Sequence, residues 1–104
     1  MANDLFSVLA DPTRRKVLEL LSDRPRRAGE LASAAKTSAP VMSRHLRILL
    51  ESGFVADERV LDDARARVFR LRREPIGDVQ AWLDQLQARW NEQLKSFKRH
   101  MEEK

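Results

Sequence analysis

The stretch Thr37-Ser38-Ala39-Pro40-Val41-Met42-Ser43-Arg44-His45-Leu46-Arg47-Ile48-Leu49-Leu50-Glu51-Ser52-Gly53-Phe54-Val55 decides how the rest of the chain is read. It reads as one helix over 38–52 with both ends marked. Ser38 is placed to accept free N–H groups of the first turn. Pro40 is tolerated there because that turn has no intrahelical partner for its missing N–H, and Gly53 supplies a left-handed stop. Met42, Leu46, Leu49 and Leu50 share one face at helical spacing and point into a core. The opposite face carries Pro40, Ser43, Arg44 and Arg47, with no carboxylate before Glu51. Short polar side chains at the leading end, with cations behind them, suit a helix pushed into a DNA major groove. A solvated face on an ordinary amphipathic helix has the same composition, so the flanking chain must discriminate.

Upstream, residues 28–35 form a short helix of mostly small residues, which lets helices cross closely, and Lys36-Thr37 is a tight turn into the helix over 38–52. Together they have the spacing of a helix-turn-helix. Ser22 to Arg27 is a polar break around Pro25. Before it, Asp11 caps and Pro12 opens a helix that buries Val17, Leu18, Leu20 and Leu21. Arg14, Arg15 and Lys16 fall in its first turns, where the helix dipole disfavours cations; they read as an exposed edge or a local salt bridge rather than as phosphate contacts. Residues 3–10, with Leu5, Phe6 and Leu9 apolar and Asn3 or Asp4 as cap, make a helix too short to stand alone. It is expected to be a packing pad for another helix or subunit.

Downstream of Gly53 the period changes from 3.6 to 2, and residues 54–72 read as a hairpin wing. Its strands are expected at 54–60 and 65–72, the second alternating between Arg and apolar residues, with the turn at 61–64. Arg59, Arg65 and Arg67 near the tip are candidates for phosphate or minor-groove contacts. Asp62 and Asp63 would repel phosphate, so the flank of the wing is expected to meet DNA more than its extreme tip. A last helix over 75–101 follows, roughly 40 Å long at 1.5 Å per residue. Its apolar stripe of Ile76, Val79, Leu83, Leu86, Trp90, Leu94, Phe97 and Met101 is too long for one small domain to cover, and Trp82 lies beside it. We expect it to pack against a second copy and against the 3–10 helix. Leu5, Phe6, Leu9, Val79, Leu83, Leu86, Trp90, Leu94 and Phe97 would then form a dimer interface, a better account of the stripe than a ligand pocket around Trp82 and Trp90.

Composition narrows the function classes. At 104 residues the chain is expected to be a single domain over 1–104, and its lack of cysteine excludes disulfides, thiolate metal sites and thiol catalysis. The net charge of +4 favours a polyanionic partner. Its distribution says more: nine Lys/Arg against six Asp/Glu in residues 1–53, six against four in 54–73, and five against six in 74–104. The first two thirds are basic and the last helix is left for another task. The start, Met1-Ala2-Asn3-Asp4, carries no basic segment with an apolar run behind it, and no stretch approaches the roughly 18 apolar residues of a membrane span. A cytoplasmic location without a membrane partner is therefore expected. His45 and His100 lie far apart, with no carboxylate pair and no Gly-rich phosphate loop, so an enzyme is not expected.

Four strings, Leu9-Ala10-Asp11-Pro12-Thr13-Arg14-Arg15, Gly29-Glu30-Leu31-Ala32, Ser43-Arg44-His45-Leu46-Arg47-Ile48-Leu49 and Ser52-Gly53-Phe54-Val55, together resemble the ArsR family of bacterial winged helix-turn-helix repressors. The resemblance runs in order over nearly the whole chain. It implies a homodimer with first and last helices at the interface, bound to double-stranded DNA at a palindromic operator near its own or a neighbouring promoter. The second helix of the motif would read the major groove. The DNA-facing set is then Ser38, Pro40, Val41, Ser43, Arg44, His45 and Arg47, with Arg59, Arg65 and Arg67 from the wing. His45 sits between core and groove, and both a structural hydrogen bond to backbone and a DNA contact are open to it.

The chain departs from the family's pattern in two respects. Many members sense metal through cysteines, and none exist here; others use Asp and His on the last helix, where only His100 stands among Asp78, Asp84, Glu92 and Glu102. No metal site and no cofactor are expected, and no effector is legible. Ala39 occupies the position before Pro40 that is often Gln in related chains. The change removes a side chain able to read adenine and shifts specificity onto Ser43, Arg44 and DNA shape. The expected fold is mainly α with a two-stranded β wing, and the expected function is a sequence-specific repressor. The alternative is a dimeric protein-interaction module that keeps the fold and has lost operator reading, motivated by Ala39 and the acidic wing tip.

Overall fold

Local signals place most of the elements. The computed structural model describes residues 2–60 and 63–103, and the side chains of 5–60 and 66–103. The chain runs α1 (Ala2–Leu9), α2 (Pro12–Asp23), β1 (Arg26–Arg27), α3 (Ala28–Ala34), α4 (Ala39–Glu51), β2 (Val55–Val60), β3 (Asp63–Leu71) and α5 (Glu74–Glu102). The Asp11 carboxylate accepts from the backbone N–H groups of Thr13 at 2.8 Å and Arg14 at 3.1 Å, with Pro12 opening α2. The Ser38 hydroxyl accepts from the Val41 N–H at 3.3 Å and starts α4. Asn3 and Asp4 lie inside α1 rather than ahead of it.

The helix-turn-helix is closed by the same device twice. At the end of α3 the Thr37 N–H donates to Ala32 O at 3.0 Å and the Lys36 N–H to Ser33 O at 3.2 Å. At the end of α4 Phe54 donates to Leu49 O at 3.0 Å and Gly53 to Leu50 O at 3.2 Å. Both are Schellman stops around one left-handed residue. That residue is Gly53 at φ +79 after α4 and Lys36 at φ +55 after α3. Phe54 and Leu49, which this geometry brings together, are both fully buried.

The core gathers Val8 from α1, Val17, Leu18 and Leu21 from α2, Leu31 and Ala32 from α3, and Met42, Leu46 and Leu49 from α4. Phe54, Val55 and Phe69 close it. Leu50, expected in the core, lies at its margin, half-buried and packed against it.

Three further features differ from the sequence expectation. The sheet has three strands in the order β1-β3-β2, because the supposed break contributes β1, with Arg26 opposite Phe69 and Arg27 opposite Val68. Two residues carry no periodicity, and β1 exists only because β3 offers it a free edge. Next, β3 begins at Asp63, so Asp63 and Ala64 belong to a strand and not to the turn; Leu61 and Asp62 lie outside the described residues. Finally, the alternation slips at Val68-Phe69. Phe69 is buried and shares its face with Leu71 and with Arg67, whose guanidinium lies 5.7 Å from the Phe69 ring centroid. Register is regular from Val55 opposite Leu71 to Arg59 opposite Arg67 and shifts between Arg59 and Val60.

α5 leaves the body of the domain. The molecule measures 72 × 25 × 23 Å with a radius of gyration of 19.3 Å, against about 13 Å for a compact chain of this length. Pro75 is buried and Val79 half-buried, and Trp82 meets Phe6 of α1 edge-on with centroids 5.0 Å apart. Beyond that contact Leu86, Trp90, Leu94, Phe97 and Met101 are all exposed.

Two substitutions test the local devices. A left-handed conformation costs an L-residue about 1–2 kcal/mol. Lys36→Gly should therefore raise the stability measured by urea unfolding by about 1 kcal/mol, while Gly53→Ala should lower it by a similar amount. No atom lies within 4 Å of a Cβ built at Gly53, so the cost there is conformational and not steric. Removing the α2 cap by Asp11→Ala should cost about 1 kcal/mol near neutral pH. Burial raises the Asp11 pKa, but the N–H groups of Arg14 and Thr13 and the charge of Arg14 outweigh it and hold the carboxyl below its ordinary value. Its stabilisation is then complete above the unfolded pKa of about 4 and is lost as pH falls through the lower folded value. Wild-type and Asp11→Ala melting temperatures should converge in acid and separate toward neutrality.

Candidate nucleic-acid interface

With its core face committed, α4 presents Ser38, Pro40, Val41, Ser43, Arg44 and Arg47 to solvent. Arg44 and Arg47 make no ion pair among the described residues. Ser43, Arg47 and Leu50 lie along the edge of α4 nearest the sheet, and a groove of about 580 Å³ opens between them and the wing. It is lined by Arg27, Ala28, Ser43, Leu46, Arg47, Leu50, Ala66, Arg67 and Phe69. Among the described residues its lining holds three arginines and a hydroxyl around an apolar floor, and no carboxylate. Such a trough concentrates positive potential where a phosphate backbone would lie.

Arg27 was not singled out in the sequence because it sat in an apparent break. Strand alternation is what separates it from its neighbour. Arg26 turns inward, its side chain 16% exposed, donates to Leu20 O at 3.2 Å and to Asp23 at 3.3 Å, and lies 3.9 Å from the Glu30 carboxylate. Arg27 points the other way, exposed, into the groove. The usable signal was the basic pair directly before the supporting helix.

The wing arginines divide. Arg67 is ion-paired with Asp57 and faces Arg59 across the strands, so Asp57 relieves a like-charge pair. Arg70 meets Glu58 at 3.4 Å and Arg72 meets Glu74 at 3.7 Å. Arg59 is exposed, and the side chain of Arg65 lies outside the described residues.

His45 turns to the other edge of α4, away from the wing. Its Nδ1 lies 3.3 Å from Arg14 Nη1, so its partner is a side chain and not the backbone. Arg14 also donates through Nε to Val8 O at 2.9 Å and through Nη2 to Ser7 O at 3.3 Å. Arg15 donates to Leu9 O at 2.8 Å and Ala10 O at 3.1 Å. Cations that open α2 against its dipole therefore close the C-terminal end of α1, where the dipole favours them.

The chain has no cysteine, and among the described residues no three His, Asp or Glu side chains converge, so the donor set of a metal-sensing site is not met within one chain. The hollow beside Trp82, Gln85, Leu86 and Arg89 holds about 40 Å³, far below the roughly 300 Å³ at which ligand pockets begin. No described helix is long and apolar enough to cross a membrane.

Comparison with known proteins agrees with this geometry. Residues 11–57 match the model of the bacterial regulatory protein arsR family, a span covering α2 through the helix-turn-helix into β2. The chain is 40% identical over 57 residues to the transcriptional repressor SdpR of Bacillus subtilis, covering 55% of this chain and 63% of that protein's length. A crystal structure of an ArsR family transcriptional regulator is 36% identical, covers 86% of this chain and 94% of its own, and superposes with a TM-score of 0.77. The fold also matches the homodimeric winged helix-turn-helix DNA-binding domain of a possible ArsR-family regulator of Mycobacterium bovis. That match has 24% identity and a TM-score of 0.62, covering 88% and 80% of the two chains. With the capped α2, the paired helices, the three-stranded wing and the likeness over nearly the full length of a solved relative all in agreement, this chain belongs to the ArsR family of bacterial regulatory proteins.

Proposed function

We propose that the chain is a cytoplasmic, sequence-specific DNA-binding repressor that acts as a homodimer on a palindromic operator. The observation that supports this most is the groove bordered by Arg27 and Arg47, which make no ion pair among the described residues, alongside the exposed Ser43 and Arg44 of α4. α4 enters the major groove by its N-terminal half. Ser43 and Arg44 read base edges, and Arg27, Arg47 and the wing hold the adjacent backbone. The second copy is supported by α5, whose half-exposed Leu83, Leu86, Leu94 and Trp90 continue the contact that Phe6 makes with Trp82. An apolar stripe of this length needs a partner surface, and a symmetric copy supplies one with the same pattern. The two α4 helices would then meet successive major grooves about 34–36 Å apart.

The experiment is a selection of duplexes from a random-sequence pool, followed by salt titrations of the recovered sequence and a scrambled control. Arg44→Ala should cost about 1–3 kcal/mol on the selected duplex and relax base preference. Arg27→Ala should weaken both duplexes alike and reduce the log–log salt slope by about one. Absence of any salt-dependent duplex binding would refute the repressor and leave the interaction module. For the dimer, Leu94→Asp combined with Phe97→Asp should shift the sedimenting species to the 12.1 kDa monomer while the helical spectrum of the body persists.

A further inference from the structure

Arg14 joins three helices at once through one side chain. Its side chain is 14% exposed. It belongs to α2, its Nε and Nη2 hold the final carbonyls of α1, and its Nη1 meets His45 on α4. Asp11 lies 3.9 Å away and balances its charge. Arginine has donors and no acceptor, so His45 Nδ1 must accept, and the ring hydrogen sits on Nε2. α1 is in turn seated on α5 through Phe6 and Trp82. A continuous path of specific contacts thus runs from the terminal helices to the flank of the helix that carries Arg44.

Apolar burial of Met42, Leu46 and Leu49 sets how deeply α4 sits, but such contacts are non-directional and leave its roll about its own axis weakly specified. A hydrogen bond is directional. A roll of about 10° would carry a side-chain head, roughly 5–6 Å from the axis, by about 1 Å, enough to spoil bidentate base reading. We infer that Arg14 is a positioning residue for DNA reading: through His45 it fixes the roll of α4 to the position of α1, and so to the arrangement of α1 and α5. The inference rests on the operator reading proposed above.

The test is a double-mutant cycle with Arg14→Gln and His45→Phe in the full chain. Affinity is measured on the duplex selected by wild type and on a scrambled duplex of equal length, with melting temperature and sedimentation recorded for each variant. Arg14→Gln is expected to lower affinity for the selected duplex about tenfold, the scale of one charge-assisted hydrogen bond. Its affinity for the scrambled duplex should stay within about twofold, and the double variant should be no worse than either single one. His45→Gln, which keeps an acceptor, should recover most of the loss seen in His45→Phe. Additive losses on the selected duplex would overturn the coupling, because His45 would then touch DNA independently of Arg14. Equal losses on both duplexes, or losses that follow the melting temperature or dimer fraction, would overturn it too. If wild type enriches no sequence at all, the operator reading falls and takes the coupling with it.

Discussion

Met42, Leu46 and Leu49 are the main apolar grip the domain has on α4. A helix that must leave half its circumference free can be held only from the other half, and each of these side chains is 3% exposed or less. Everything around them serves that hold. α2 and α3 supply the opposing surface, the Schellman stop after Gly53 turns Phe54 and Val55 back under α4, and the sheet follows from where Val55 then lies. The free half of α4 remains polar and cationic because nothing in the fold needs it.

Arginine does three different jobs here, and its partners tell them apart. Arg14, Arg15 and Arg26 are spent on backbone carbonyls and nearby carboxylates, where their forked donors close helix ends that would otherwise be left unsatisfied. Arg67 and Arg70 answer the acidic residues of the facing strand. Arg27, Arg44 and Arg47 make no ion pair among the described residues and border one groove or the face beside it. A count of basic residues would treat all of these alike. Of the arginines named here, the third group alone has no ion-pair partner or backbone acceptor among the described residues.

The division between body and arm is equally plain. The body buries its apolar residues within one chain, whereas the distal part of α5 leaves Leu94 and Phe97 about half exposed or more, at 47% and 63%. That exposed stripe is the surface the proposed second copy would cover. α1 lies where body and arm meet, seated on α5 and clasped at its end by Arg14 and Arg15.

What could be read without coordinates was whatever depends on neighbours a few residues away. The caps at Asp11 and Ser38, the stop at Gly53, the helical period of Met42, Leu46 and Leu49 and the stripe of α5 are all encoded within one or two turns, and they mark α2, α4 and α5. The tertiary structure alone decided what depends on residues distant in the chain. β1 forms because β3 has a free edge, and that pairing sends Arg26 inward and Arg27 to the groove. Phe69 takes the core side of its strand because Phe54 and Val55 lie beneath it in the same cluster, which moves Arg67 to that face. His45 finds Arg14 across 31 positions of sequence. Period and propensity are silent on such pairings, since each is settled by which surfaces remain unsatisfied after the helices have packed.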